Sequence, residues 1–164
     1  MVEAVLAAKA FLDEMAIPAF CKTSGATGLH VYVPLAPRFS YEQARELAHL
    51  VCLVVNRRNT DLTSLERSPA KRKGRVYLDY LQNREGATMA APYVVRPREG
   101  APVSTPVEWK EVTPRLDPLD FNIRTVPERM ARKGDAWHGL FKKRLDLNAA
   151  LARFERWQKS RKTS

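Results

Sequence analysis

Lys22-Thr23-Ser24-Gly25-Ala26-Thr27-Gly28-Leu29-His30-Val31-Tyr32-Val33-Pro34-Leu35 is the stretch on which the fold turns. Its second half alternates Leu29, Val31 and Val33 against His30 and Tyr32, the period-two pattern of a half-buried strand. Upstream, Ala19-Phe20-Cys21-Lys22-Thr23 reads as another short strand, with Ser24-Gly25-Ala26-Thr27-Gly28 as the turn between them. Two strands around a short glycine-containing loop predict a hairpin over residues 20–35. The loop leads into a strand and has no Lys-Ser/Thr pair opening a helix, so it is not a P-loop. Gly25 and Gly28 still allow backbone N–H groups to approach an anion. Ser24 offers a hydroxyl in the turn, and His30 lies one residue into the strand on its polar side. The same residues also suit a plain hairpin turn with a partly buried histidine.

Before the hairpin, Val2, Val5, Leu12 and Met15 keep roughly helical spacing, and Pro18 is placed to stop that helix. After it, Ser40 is a plausible N-cap for a helix over residues 41–56, with Ala44, Leu47, Ala48 and Val51 on one face. Residues 75–81 read as a strand. The proline-rich stretch from Pro92 to Pro118 reads as extended structure with turns, anchored by Tyr93, Val94, Val95, Val103, Val107 and Trp109. A short strand over residues 121–126 precedes a helix with Pro127 at its first position. A last helix over residues 148–159 turns Leu151, Phe154 and Trp157 inward. Residues 1–158 form one domain of α+β type, and the basic end, residues 159–164, is expected to fray.

The chain has 164 residues, 45% hydrophobic, enough for one domain with a real core. No apolar run approaches the roughly 18 residues of a membrane span. Glu3, Lys9, Asp13 and Glu14 interrupt the first residues, unlike a secretory leader, which predicts a cytoplasmic protein. Lys and Arg number 28 against 18 Asp and Glu, a net charge of +10, compatible with a polyanionic partner or with a solvated basic surface. Cys21 and Cys52 are far apart and lack ligand neighbours, as do His30, His49 and His138, so a structural zinc site is not indicated.

Three further features carry possible chemistry. Asp79 sits inside Arg75-Val76-Tyr77-Leu78-Asp79-Tyr80-Leu81, where carboxylates are depleted. It suits a strand end, a salt-bridge partner or a metal ligand. Arg96 follows a short apolar run and could clamp a phosphate bidentately or simply be solvated. Arg67, Lys71, Arg72, Lys73 and Arg75 form a basic loop that would give salt-sensitive DNA affinity.

The hairpin stretch quoted above resembles the second catalytic motif of the polymerase (primase-polymerase) domains of bacterial DNA ligase D. Glu66-Arg67-Ser68-Pro69-Ala70-Lys71-Arg72-Lys73-Gly74-Arg75-Val76-Tyr77-Leu78-Asp79-Tyr80-Leu81-Gln82-Asn83 resembles the third, continued by Arg84, Gly86, Ala87 and Thr88. Ala91-Pro92-Tyr93-Val94-Val95-Arg96, Gly100-Ala101-Pro102-Val103-Ser104-Thr105-Pro106 and Phe121-Asn122-Ile123-Arg124-Thr125-Val126-Pro127 follow in the family's order. The resemblance covers residues 1–150. It implies an archaeo-eukaryotic primase-type, RRM-like mixed sheet flanked by helices. It also implies nucleotidyl transfer to gapped or broken DNA ends in non-homologous end joining, with Mn2+ or Mg2+. Asp79 would then be a metal ligand. Ser24, His30 and Arg96 would contact the incoming nucleoside triphosphate, with Lys22, Gly25 and Gly28 beside them, and Asp79 and His30 would be the catalytic pair. A cytoplasmic, nucleoid-associated protein working with a ligase domain and a Ku-type end-binding protein is implied as well.

The family carries two more carboxylates in an Asp-x-Asp motif on an earlier strand. No Asp-x-Asp occurs in this sequence, and Leu116-Asp117-Pro118 is a triplet that relatives carry at the same later position. The sheet is therefore expected to be incomplete, and the chain inactive alone unless an upstream polypeptide supplies the pair. The alternative is a non-catalytic DNA- or nucleotide-binding remnant or subunit. A ligase domain is not indicated, since no Lys-x-Asp-Gly motif is present.

Overall fold

In a computed structural model, residues 1–162 are described. The first helix, α1 (Val2–Glu14), buries Val2, Ala4, Phe11 and Leu12. It ends before Pro18 acts. Ile17 N–H reaches Leu12 O at 2.8 Å and Ala16 N–H reaches Asp13 O at 2.9 Å, with Ala16 left-handed at φ 50°, a Schellman closure. The second helix, α2 (Tyr41–Arg58), starts where Ser40 predicts. Ser40 Oγ accepts from Gln43 N–H at 3.3 Å and Gln43 Oε1 accepts from Ser40 N–H at 2.9 Å, a complete capping box.

Strands β1 (Phe20–Thr23) and β2 (Leu29–Tyr32) pair antiparallel, Lys22 opposite His30, as the hairpin reading requires. The other edge of β1 pairs antiparallel with β5 (Pro106–Val107), giving the order β2-β1-β5. A separate two-stranded sheet joins β3 (Thr63–Ser64) and β4 (Val76–Tyr77) in parallel. The fold is α+β, a small sheet flanked by helices. Antiparallel and parallel pairing are both present but divided between two sheets.

Phe11, Leu12, Met15, Ile17, Leu47, Val55, Leu147 and Phe154 make the main core between α1, α2 and α4 (Leu147–Lys162). Phe11 meets Phe154 and Trp157 edge-on, with ring centroids 6.1 and 5.4 Å away. A smaller cluster of Val2, Cys21, Val107 and Val112 lies on the sheet side of α1. Both cysteines are free thiols. Among the described residues no helix is long and apolar enough to cross a membrane.

Several expectations are corrected. The strand over residues 75–81 shortens to Val76–Tyr77. Asp79 Oδ1 accepts the Leu81 N–H at 2.9 Å, and this Asx turn diverts the backbone from the ladder. The short strand over residues 121–126 is absent apart from a single Pro102–Asn122 bridge. Asn122 Oδ1 instead accepts from Arg124 N–H at 3.0 Å and starts α3 (Thr125–Lys133) early, so Pro127 is third in the helix, where its missing N–H is still harmless. Val94 and Val95 are exposed and do not anchor the proline-rich segment. The helix α4 continues through residues 159–161, where Arg161 lies over the Trp157 ring at 4.9 Å and 3.8 Å from Glu14, instead of fraying. Thr163 and Ser164 of the basic end lie outside the described residues.

Candidate functional site

Lys22 is fully buried in the central strand. Burial of an ammonium is costly unless it is hydrogen-bonded, and its Nζ donates to Ser104 Oγ and, at 3.4 Å, to Thr23 O. No carboxylate pairs with it among the described residues. Desolvation first, and then the charge of Arg96, push Lys22 down to about 8.

Ser104 and Thr105 arrive from the proline-rich segment, more than 80 residues away in sequence. Thr23 N–H donates to Thr105 O at 2.9 Å. Thr23 Oγ1 donates to Val103 O at 3.0 Å and accepts from Thr105 N–H at 2.8 Å. Ser104 Oγ donates to Thr23 O at 2.9 Å. Thr23, Ser104 and Thr105 are all fully buried, so this polar seam is satisfied internally. Composition and periodicity pointed to none of it, because each partner alone is an ordinary hydroxyl.

The turn after β1 is held by its own serine. Ser24 Oγ accepts from the N–H groups of Ala26 and Gly28, each at 3.1 Å, and Ser24 N–H donates to Gly28 O at 2.9 Å. Gly25 sits at φ +66°, and a Cβ there would lie 2.5 Å from Arg96 Cγ and 3.0 Å from Ser104 N. The absent side chain therefore lets Arg96 pack on the turn. Gly28 needs no such room, since its Cβ would meet Ser24 Oγ at an ordinary 3.5 Å. Arg96 itself is carried by a hairpin in which Arg96 N–H donates to Pro102 O at 2.8 Å and Ser104 N–H to Val94 O at 2.9 Å.

His30 faces the same space. Its Nδ1 is buried without a hydrogen-bond partner among the described residues. Desolvation, then the charges of Lys22 and Arg96, hold its imidazole down to about 4, and Asp79 opposes them. Lys22, Arg96 and Asp79 thus each act on the His30 ring, and Arg96 also acts on Lys22. Asp79 also acts on Cys52 of α2, whose thiol is pushed up to about 12, chiefly by burial.

Those residues do not by themselves make a two-ion centre. Among the described residues no three His, Cys, Asp or Glu side chains converge. Asp79 is one exposed carboxylate, with Oδ1 already accepting the Leu81 N–H. It could give a divalent cation a single anchoring group.

The basic loop lies on the flank of Asp79. Burial raises the Tyr77 phenol, Asp79 adds to this, and Arg67 and Arg72 oppose it. Its five cations are not equivalent. Arg72 stacks over Tyr77 at 4.5 Å and donates to Glu66 O and Arg67 O, at 2.9 and 2.6 Å. Arg75 donates to Arg72 O and Thr60 O, at 2.9 and 3.2 Å. Arg67, Lys71 and Lys73 project into solvent.

Known proteins resemble this chain over most of its length. The family model "LigD, primase-polymerase domain" matches residues 1–137. The multifunctional non-homologous end joining protein LigD of Pseudomonas aeruginosa is 34% identical over 155 residues, 93% of this chain and 18% of that protein. The bifunctional LigD of Bacillus subtilis is 37% identical over 134 residues, 81% of this chain and 22% of that protein. The chain therefore spans about a fifth of the length of these relatives. The polymerase domain of Mycobacterium tuberculosis ligase D, solved in complex with DNA, superposes with a TM-score of 0.79 at 30% identity, over 88% of this chain and 50% of that one. With a family model matching residues 1–137 and relatives of 34% and 37% identity covering 93% and 81% of it, the chain belongs to the LigD primase-polymerase domain family.

Proposed function

We propose that this chain provides the nucleoside-triphosphate-binding part of a DNA-end nucleotidyltransferase used in non-homologous end joining. One observation carries the reading: Lys22, His30 and Arg96 converge around the Ser24–Gly28 turn, and Asp79 is the carboxylate that acts on His30 there. Such a cluster, with one orphaned imidazole nitrogen, suits a ligand with several negative oxygens. Arg96 would clamp phosphate oxygens, Lys22 would add a buried charge, and His30 Nδ1 would meet a polar ligand atom. The exposed Arg67, Lys71 and Lys73 would hold a DNA backbone beside it.

These groups act on the bound anion whether or not transfer occurs, so binding and chemistry are separable. The family resemblance assigns transfer to divalent cations, manganese or magnesium, and one carboxylate cannot hold two of them in register. The chain by itself is accordingly expected to bind triphosphate without extending a primer, the missing carboxylates coming from a polypeptide segment outside residues 1–164. A ligase domain and a Ku-type end-binding protein are the partners that fit this role. The alternative, a non-catalytic DNA- or nucleotide-binding subunit, is favoured by the same lone carboxylate.

Primer extension with manganese separates the readings. The chain would be compared with a version to which an Asp-x-Asp strand has been added, and with Asp79→Ala in that version. Activity only in the extended version, lost with Asp79→Ala, supports the nucleotidyltransferase. Extension by the bare chain would show that another carboxylate, such as Asp61 or Glu66, completes the centre. No activity in any version, with triphosphate still bound, leaves the binding subunit.

A further inference from the structure

A groove of about 320 Å³ runs between the end of β2 and the 3-10 turn Leu140–Lys142, outside the triphosphate cluster. Its floor is apolar, from Val33, Pro34, Leu35 and Leu140, and its rim carries Phe141, Lys143 and Arg144. Both walls are fixed to one another: Leu145 N–H donates to Pro34 O at 2.7 Å and Ala36 N–H to Leu145 O at 3.1 Å. Phe141 is 87% exposed, the most exposed of the large apolar side chains. A lone exposed apolar residue is unremarkable, but this one stands on a groove and is followed by three consecutive cations, Lys142, Lys143 and Arg144, all exposed. None of the three has an ion-pair partner among the described residues. The adjacent carboxylate, Asp146, is already paired with Arg38.

We propose that this groove binds an unpaired nucleotide of a single-stranded nucleic acid, its base stacked on Phe141 and the neighbouring phosphates on Lys143 and Arg144. An aromatic face next to exposed cations is the arrangement that holds single strands without sequence preference. An acidic peptide would use the cations but not the isolated ring, and within a duplex every base face except those at the two ends is already covered by stacking. The groove is continuous with the triphosphate cluster through Tyr32. That ring lines the groove, lies two residues from His30 on the same side of β2, and has Lys22 Nζ 5.8 Å from its centre. Trp137, which packs on Tyr32 at 4.8 Å and donates to Cys21 O at 2.9 Å, fixes the ring between the two sites. An unpaired nucleotide here would therefore lie beside the triphosphate of the proposed function.

The test uses the 164-residue chain and fluorescent oligothymidylate, with a covalently closed circular duplex, which has no free end, as comparison. Phe141→Ala is expected to weaken single-strand binding at least about fivefold, the lower end of what one base–aromatic stack contributes. Its salt dependence and its duplex binding should be unchanged, and Phe141→Trp should restore affinity. Lys143→Gln with Arg144→Gln should lower the slope of log affinity against log salt by about 1.4, at about 0.7 per phosphate contact on a single strand. Both variants should keep wild-type melting temperature and triphosphate affinity, so failure here is distinguishable from failure of the triphosphate site. Unchanged single-strand binding by Phe141→Ala, an equal loss for single strand and duplex, or a change in oligomeric state instead of affinity would each overturn the proposal.

Discussion

Gly25→Ala is the substitution that most directly probes the packing of the site. At φ +66° an L-residue carries a left-handed backbone cost of roughly 1–2 kcal/mol. The new methyl would stand 2.5 Å from Arg96 Cγ and 3.0 Å from Ser104 N, neither of which is the free end of a flexible chain. Overpacking of this kind costs about 1–3 kcal/mol. Stiffening of the unfolded chain returns about 0.4–1 kcal/mol. The net loss is about 1–5 kcal/mol, or roughly 2–20 °C in melting temperature for a chain of this size. Arg96 must also move at its base, which carries its guanidinium away from Lys22 and His30, so triphosphate affinity should fall along with stability. Gly28→Ala is the internal control: its backbone is not left-handed and its Cβ would make an ordinary 3.5 Å contact, so it should lose less than about 1 kcal/mol. Urea unfolding followed by tryptophan fluorescence, with titration of a fluorescent triphosphate, measures both effects. The reasoning is refuted if Gly25→Ala is as stable as the wild type, or if the two variants lose stability equally.

Three other outcomes are expected. Lys22, lowered from 10.5 to about 8, is neutral above that pH in the folded chain while the unfolded chain stays protonated. Stability should therefore rise by up to about 3 kcal/mol as pH goes from 8 to 10.5. Triphosphate affinity should instead fall above pH 8, and an unchanged affinity up to pH 10 would remove Lys22 from the site. Glu111 is opposed by burial but held down to about 2 by Arg129, whose guanidinium meets both its oxygens at 2.6 Å, and by Lys133. Its contribution is present above its ordinary 4.5 and lost as pH falls toward 2, and Glu111→Gln should cost about 2–4 kcal/mol and flatten that acid limb. In the basic loop, Lys71→Glu with Lys73→Glu should weaken DNA binding and its salt slope without unfolding. Arg72→Glu should also lower the melting temperature, because it breaks the contacts to Tyr77 and to Glu66 O. Equal melting temperatures for the two would contradict the division between free and structural cations.

Local pattern sufficed for much of this protein. The alternation after Gly28 specified a strand, Ser40 and Gln43 specified the start of α2 by a capping box, and the ordered motifs identified the family. Each of these signals lies within a few residues of its effect, where side-chain spacing and backbone bonding are short-range. Boundaries that depend on competition between local bonds were misplaced. The Asx turn at Asp79 shortened β4, Asn122 began α3 ahead of Pro127, and the Schellman closure at Ala16 ended α1 before Pro18.

Tertiary structure alone decided the interior of the site. The sequence named Lys22, Ser24, His30, Asp79 and Arg96 as candidates, with a bland reading open for most of them. It gave no indication that Lys22 is fully buried on Ser104, that Arg96 rests where a Gly25 side chain would be, or that two of the five basic-loop cations, Arg72 and Arg75, are tied to nearby carbonyls. The physical reason is that desolvation and charge coupling depend on what packs around a group. For Lys22 those neighbours come from a proline-rich segment some 80 residues along the chain, through backbone and hydroxyl contacts that leave no period in the sequence.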